Sequence, residues 1–363
     1  MPDILHEDRV VKHELYRTRK DKHWDAVHEA RSRGLTPTAY FVEYLDYHDR
    51  AKALQDRNLG LKPPEFRCGD DLQDHVTIYD NVERRLAGFS NVLESVWYGP
   101  QAPKVAKNIA AGRDTTCYKD SFDQDTWLYL FLIHRLTGSG ASFEHDHGWR
   151  NSIVPYLCHK TSWIRPSNGH ISNLIASYDK PIFTSIGNQI PPFNKPNPPY
   201  ATGGKEFLCE HAPKLAVATL HWLQQGPRKG IKETVDWILS WMTQHGFKRY
   251  KFVLTAFAMD IAEYMPDYVD PNSDVYHGKN AEEAMELIFN LNPSLKSHKA
   301  KYDTATRVIC DLKDTWPMDT EDVMCDAIRW SESYIPKRSY DHLDRSTIFS
   351  SISLRHHKGR QPS

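Results

Sequence analysis

The sequence has no long apolar run, no cysteines paired at metal-binding spacing and no excess of charge of one sign. None of its six cysteines stands in a C-x-x-C pair, so we expect reduced thiols rather than a disulfide framework or a zinc site. Apolar runs of about 18 residues, the length that spans a bilayer, do not occur, and we expect no membrane partner. The start, MPDILHEDRVVKHELYR, lacks the apolar core of a signal peptide, which favours a cytoplasmic protein.

Charge and patterning indicate a helical protein without a broad basic surface. The 363 residues carry 46 Lys and Arg against 47 Asp and Glu, so any contact with nucleic acid must be local. Segments with alternating apolar and polar residues are few, and an all-α fold is predicted, with one small strand at most. By composition we divide the chain into a helical extension and linker (1–70), a helical domain (71–335) and a basic, flexible tail (336–363).

Several segments show the apolar periodicity of helices. They are Asp125–Leu136, Lys205–Leu223, Lys229–His245, Ala281–Phe289 and Lys299–Leu312. The first is apolar nearly all round, which places it at the centre of the core. Asn168–Gly204 is rich in Pro, Asn, Gly and Ser and is predicted to be a long loop, functional or mobile. Trp163 is a candidate to stack on a displaced base.

The segment from Trp241 to Asp270 predicts two helices joined by a short turn and followed by an exposed acid. Gly246 can take the left-handed conformation that ends a helix, and so short a connection makes two helices return on one another. The second helix is expected to bury Phe252, Val253, Ala256, Phe257, Ile261 and Ala262. Backbone N–H groups and three cations at the turn suit a phosphate. These cations are Lys248, Arg249 and Lys251. The simpler alternative is a core hairpin followed by a helix-capping Asp270.

A second polar segment, TGSGASFEHDHGWRN, directly follows the apolar helix. So many acids, imidazoles and amides are costly to bury without a polar task. One interpretation is an acid/base and substrate-orienting cluster, with His145 or His147 moving protons and Arg150 binding a phosphate or carboxylate. Its further candidates are Thr137, Gly138, Ser139, Gly140, Ser142, Asp146 and Asn151. A metal site using His134, and a surface loop with ordinary caps, remain alternatives.

A third polar segment, VDPNSDVYHGKN, follows the hairpin. Asp270 stands before Pro271, where a turn or an N-cap is expected. Ser273 is a turn former, and it is also kept as a candidate substrate-binding residue. Tyr276 and His277 are better candidates for lining a pocket, with core packing as the alternative for both.

Three stretches resemble the amino acid:DNA transferases of phage thymidine-hypermodification systems: LYLFLIHRLTGSGASF…DHGWRN, the helix-hairpin region, and FVLTAFAMDIAEYMPDYVDPNSDVYHGKNA. These are proposed relatives of the helix-hairpin-helix DNA glycosylases, and the resemblance covers roughly residues 125–290. Gly246 matches the first glycine of the glycosylase hairpin, and Val269-Asp270 matches the catalytic acid. Lys248 replaces the second glycine. Tyr250 stands where lyase-type members carry lysine, which argues against lyase chemistry.

The resemblance implies a glycosylase-like helical catalytic domain that acts on a modified thymine base in DNA, in a phage-infected bacterial cell. A free amino acid, with glycine as the first candidate, would displace phosphate or pyrophosphate from phosphorylated 5-hydroxymethyluracil after the base flips into a pocket. No cofactor or metal is expected. Asp270 would be the base, with His145, His147 and Asp146 next. Arg135, Arg150, Asn151 and the TGSG backbone would bind substrate, and Gly246, Lys248, Arg249, Tyr250 and Lys251 would hold DNA.

Two other functions remain open on the sequence. A DNA glycosylase would use Asp270 to stabilise positive charge on the sugar while a modified base is removed by hydrolysis. A non-catalytic helical DNA-binding or phage-structural protein would need no acid at that position. Substitution of Asp270 by Asn separates the third function from the two enzymes.

Overall fold

The computed structural model describes residues 122–137, 153–157, 159–160, 163, 169–179, 198–247, 251–289, 298–313, 315–322 and 324–325. The chain divides into a central unit, Gly88–Tyr276, and a terminal unit made of Met1–Ala87 and His277–Ser363. Most of the described residues are helical, which confirms the predicted all-α class. No helix among them is long and apolar enough to cross a membrane.

The central unit contains seven α-helices and two very short strands within its described residues. The helices are α1 Gln124–Thr137, α2 Val154–Leu157, α3 His170–Ser177, α4 Gly203–Glu206, α5 Ala212–Leu223, α6 Ile231–Gln244 and α7 Lys251–Tyr264. Strands β1 Lys229–Gly230 and β2 Val269–Asp270 pair in parallel, with Lys229 opposite Val269 and Gly230 opposite Asp270. The described helices of the terminal unit include α8 Lys279–Phe289 and α9 His298–Lys313.

Helix α1 forms the centre of the central unit, as its sequence predicts. Leu128, Phe131 and Leu132 are wholly buried, and the helix packs against both α5 and α7. Tyr129 donates a hydrogen bond from its hydroxyl to the carbonyl oxygen of Leu208 at 3.1 Å. Because apolar side chains cover every face of α1, neighbouring helices must surround it.

Two predictions, one for the Asn168–Gly204 segment and one for Trp163, are wrong. The expected loop over Asn168–Gly204 contains helix α3, whose Ile171 and Ile175 are buried one turn apart. The small polar residues around this short apolar stripe conceal it in the sequence. Trp163 is also wholly buried, stacked on Tyr129 with ring centroids 5.2 Å apart, so it offers no surface to a base.

The predicted helix Lys205–Leu223 is interrupted by a π-helical turn, Phe207–His211, between α4 and α5. A π-turn inserts one residue into a helix and shifts the carbonyl oxygens that follow. Tyr129 uses one of these, at Leu208. Lys205, nearly buried, donates from its ammonium to the carbonyl oxygen of Tyr178, and burial lowers the pKa of Lys205.

The predicted helical hairpin is confirmed: α6 and α7 are consecutive and pack against each other. Gly246 has φ +81°, and its N–H donates to the Thr243 carbonyl at 3.1 Å, while that of Phe247 donates to Met242 at 2.9 Å. This pair of bonds is a Schellman motif, which satisfies carbonyls at the end of α6. Gly246 is therefore placed where only a residue tolerant of positive φ ends the helix without strain.

Two details of the hairpin differ from the sequence prediction. Residues 229–230 form β1 rather than the first turn of α6, because their backbone pairs with β2. Phe252, expected on the buried face of α7, is 43% exposed. The buried residues instead run continuously from Val253, the third residue of α7, to Tyr264.

The terminal unit has its own packed helices. Tyr302 on α9 donates a hydrogen bond from its hydroxyl to Glu286 Oε1 on α8 at 2.8 Å. Met285 and Ile309 are wholly buried. The backbone N–H of Gly278, just before α8, donates to Glu321 Oε1 at 2.9 Å. These contacts confirm helices close to those predicted at Ala281–Phe289 and Lys299–Leu312.

A buried ion pair joins α1 to α7. Arg135 donates from Nε to Asp260 Oδ2 at 2.6 Å and from Nη2 to Oδ1, which makes the contact bidentate. Asp260 is 2% exposed, and His134 Nδ1 lies 3.9 Å from its Oδ2. Removal of one partner leaves an uncompensated charge in the core, whereas apolar replacement of both does not.

We therefore expect Asp260→Ala to lower the free energy of unfolding by about 3–5 kcal/mol. The double variant Arg135→Met with Asp260→Leu should lose much less free energy of unfolding, because no charge is left unpaired. Urea denaturation followed by circular dichroism measures both. Equal losses in the single and double variants would contradict a stabilising role that depends on pairing.

The buried cysteines provide a second test of the fold. Burial raises the pKa of Cys209 to about 12 and that of Cys310 to about 12. The thiolate is the reactive form, so both side chains should resist iodoacetamide in the folded protein at about pH 8. Peptide mass spectrometry should find both alkylated only after unfolding in urea. Cys325, which is half-buried, is the internal reference and should react sooner.

Candidate active site around Asp270

The two-residue parallel pair positions Asp270. Gly230, opposite Asp270 in the pair, is the residue before α6, so the acid lies beside the N-terminal end of that helix. The N–H of Lys229 donates to the Tyr268 carbonyl at 2.8 Å and extends the pairing by one bond. Pro266 prevents α7 from continuing, because it has no N–H and clashes with the preceding turn. The chain therefore turns back to α6.

Ser273 fixes the turn that follows Asp270. Its hydroxyl donates to the Asp270 carbonyl at 2.6 Å and accepts the N–H of Ile231 at 2.8 Å. The Asn272 N–H donates to Asp270 Oδ1 at 3.1 Å. Ser273, predicted to bind substrate, thus connects the Asp270 turn to the first residue of α6, while the Asn272 N–H orients the Asp270 side chain.

The Asp270 carboxylate remains accessible. Its side chain is 37% exposed, and its Oδ1 lies 3.2 Å from Nη2 of Arg228, which is 46% exposed. Arg228 was not among the residues singled out in the sequence. The signal that could have found it is the basic run RKGIK, residues 228–232, which leads through β1 into the first turn of α6.

Lys229 of β1 is held by aromatic side chains. Lys229 Nζ lies 5.0 Å from the Trp222 ring centroid, and Trp222 stacks on Trp237 with centroids 5.0 Å apart and planes at 15°. Lys229 Nζ also lies 3.6 Å from Glu233 Oε1. Lys229 is thereby held by an aromatic face and a carboxylate at once. These contacts limit the movement of the strand that carries Gly230 opposite Asp270.

A second group of predicted residues meets at Tyr276. Its hydroxyl donates to the Asp236 carboxylate on α6, at 2.8 Å from each oxygen. Lys251 Nζ, at the start of α7, lies 3.3 Å from the Tyr276 ring centroid, and Lys232 Nζ lies 5.5 Å from it. A cation over an aromatic face is attracted by its quadrupole. The structure therefore brings together Lys251, predicted to bind DNA, and Tyr276, predicted to bind substrate.

The structure describes four other candidates. Gly246 ends α6, and Thr137 is the last residue of α1. Arg135 directs two N–H donors at Asp260. His277 belongs to the terminal unit, where its Nε2 lies 2.8 Å from Thr306 Oγ1.

The remaining candidates lie outside the described residues. They are Gly138, Ser139, Gly140, Ser142, His145, Asp146, His147, Arg150, Asn151, Lys248, Arg249 and Tyr250. Their assignment stays a prediction. Among the residues that are described, no group of three or more His, Cys, Asp or Glu side chains could hold a metal ion.

The Ser273 contacts predict the effect of removing its hydroxyl group by substitution. Ser273→Ala leaves the buried N–H of Ile231 without its acceptor, which should cost about 1–3 kcal/mol of stability. Hydrogen exchange at the Ile231 amide should accelerate. Ser177→Ala, which removes an exposed hydroxyl bonded to the Leu174 carbonyl, is the control and should leave that exchange unchanged. An unchanged Ile231 amide in Ser273→Ala would contradict the role of Ser273.

The arrangement supplies a fixed, accessible carboxylate beside an accessible guanidinium. Such a pair can accept a proton, stabilise a developing positive charge or contact an anion. In comparisons with known proteins, no family model, no curated protein and no solved structure matches this chain.

Proposed function

We propose that this protein transfers an amino acid, through its amine, onto the 5-methylene of a phosphorylated 5-hydroxymethyluracil base in DNA. The observation that carries the proposal is the accessible Asp270 carboxylate, which follows a helical hairpin and accepts the Asn272 N–H in a turn fixed by Ser273. The resemblance of the sequence to the amino acid:DNA transferases supplies the substrate and the type of reaction. Glycine is the first candidate for the amino donor.

The reaction requires a base because an ammonium is not a nucleophile. Asp270 would take one proton from the amino acid's ammonium and leave a neutral amine. The amine lone pair forms a C–N bond to the methylene carbon as the C–O bond to phosphate breaks, and the phosphate leaves with that bonding pair. The proton on Asp270 then passes to solvent or to the leaving phosphate.

Contact with DNA would come from the tip of the hairpin. The described residues there include Gly246, the exposed Lys251 and Phe252, which is 43% exposed. A cation contacts the backbone without reading sequence, and an exposed aromatic ring can stack on an unpaired base. A target base must leave the duplex before Asp270 can act near its 5-substituent.

The test is mass spectrometry of nucleosides from DNA that contains phosphorylated 5-hydroxymethyluracil, incubated with the protein and a mixture of amino acids. Wild-type protein should yield a nucleoside carrying an added amino acid, and Asp270→Asn should lower its yield by about a hundredfold or more, the typical contribution of a positioned base. Asp267→Asn removes an exposed carboxylate three residues earlier and is the matched control, expected to retain activity.

Other outcomes of that experiment identify the alternatives. Abasic sites that depend on Asp270 would replace the transferase with a DNA glycosylase. If wild-type protein leaves the DNA unchanged, the non-catalytic DNA-binding function is the one that remains. A new nucleoside formed equally well by Asp270→Asn would retain the transferase but remove Asp270 from its chemistry.

Lys251 predicts a separate effect on affinity for DNA. Each lysine that neutralises a phosphate releases counterions, so Lys251→Gln should lower the slope of log affinity against log salt by about one. Fluorescence anisotropy with duplex DNA over a salt series measures the slope. Lys214→Gln, at an exposed position on α5, is the control and should keep the wild-type slope. Identical slopes in both variants would exclude Lys251 from the interface.

A further inference from the structure

Arg228 contacts the carboxylate that the proposed reaction needs as a base. Its Nη2 lies 3.2 Å from Asp270 Oδ1, and both side chains are accessible, at 46% and 37%. An ion pair this exposed shifts an equilibrium by no more than about fivefold, because water screens it. A dianionic ligand can therefore compete with Asp270 for the guanidinium.

We propose that Arg228 binds the phosphate or pyrophosphate group of the substrate, and that this anion displaces the Asp270 carboxylate from Arg228. The inference rests on the proposed function and assigns Arg228 to the leaving group. The exchange breaks no covalent bond. It releases the Asp270 carboxylate from the guanidinium as the phosphorylated base arrives, and the carboxylate then takes the proton from the amino acid's ammonium.

The chemistry of Arg228 suits this role better than that of its neighbours. A guanidinium presents a planar fork that matches two phosphate oxygens, whereas an ammonium binds as a point charge. Lys229 is held between Trp222 and Glu233. Lys232 and Lys251 lie over the Tyr276 ring. Within the described central unit, Arg228 is the cation that contacts Asp270.

Nearby acids set the expected strength of binding. Glu233 lies against Lys229, and Asp236 accepts the Tyr276 hydroxyl, so both have partners. Asp270 itself stands next to the anion site and repels a phosphate. The affinity for a free anion should therefore be modest and should rise when the Asp270 charge is removed.

The test is isothermal titration calorimetry with inorganic pyrophosphate and, separately, inorganic phosphate, at low ionic strength because salt screens exposed charges. Arg228→Gln should weaken pyrophosphate binding by about tenfold or more, the effect of losing hydrogen bonds to a charged group. Asp270→Asn should strengthen it by roughly two- to fivefold. The two substitutions thus change the affinity in opposite directions.

The double variant Arg228→Gln with Asp270→Asn separates competition from simple repulsion. If Asp270 competes for Arg228, the gain from Asp270→Asn should shrink when Gln occupies position 228. Arg228→Lys should retain part of the binding. Asp267→Asn and Arg307→Gln, which change charge at other exposed positions, should leave the affinity near that of wild type.

The inference is overturned if wild-type protein binds neither anion, if Asp270→Asn fails to strengthen binding, or if its gain is undiminished in the double variant. Stronger binding of pyrophosphate than of phosphate would assign the leaving group to pyrophosphate, and the reverse order to phosphate. These outcomes are distinct from failure of the proposed function. Nucleoside mass spectrometry tests amino-acid transfer by the wild-type protein without reference to Arg228.

Discussion

The site depends on one short parallel pairing, between Lys229-Gly230 and Val269-Asp270. It joins the residue before α6 to the acid that follows α7, and so closes the helical hairpin at its open end. Ser273 strengthens the closure with a bond to Ile231 across 42 residues of sequence. A strand pair of two residues is weak alone, because its few hydrogen bonds scarcely offset the entropy cost of closing the intervening loop. The packing of α6 on α7 makes the closure stable.

In the described part of the central unit, two buried charges bind partners distant in sequence. Asp260 receives two donors from Arg135, and Lys205 donates to a backbone carbonyl. Both contacts connect segments distant in sequence, which favours one arrangement of the helices over others. The Arg135–Asp260 pair constrains Arg135, which the sequence predicts to bind substrate. Two of its five N–H donors point at Asp260, which fixes the guanidinium at the end of α1, just before the TGSG segment.

The accessible Asp270–Arg228 pair differs from the buried one in its physical consequences. A buried pair is costly to separate, because either charge alone would be left in a low-dielectric core. An exposed pair exchanges readily with solvent or with another ion. The first is suited to holding helices together. The second is suited to a site where a carboxylate must be free at one stage and neutralised at another, and it lies where the hairpin and the parallel strands meet.

The sequence by itself determined the helical class, the central position of α1 and the hairpin whose first helix is terminated by Gly246, because these follow from local periodicity and from the conformational freedom of glycine. It also indicated an accessible acid at Asp270, since the flanking prolines exclude a continuing helix. Only the tertiary structure decided that Arg228 contacts Asp270, that Ser273 joins the acid's turn to α6, and that Trp163 is buried. Those facts depend on segments distant in the chain, whose approach is set by packing rather than by any local pattern.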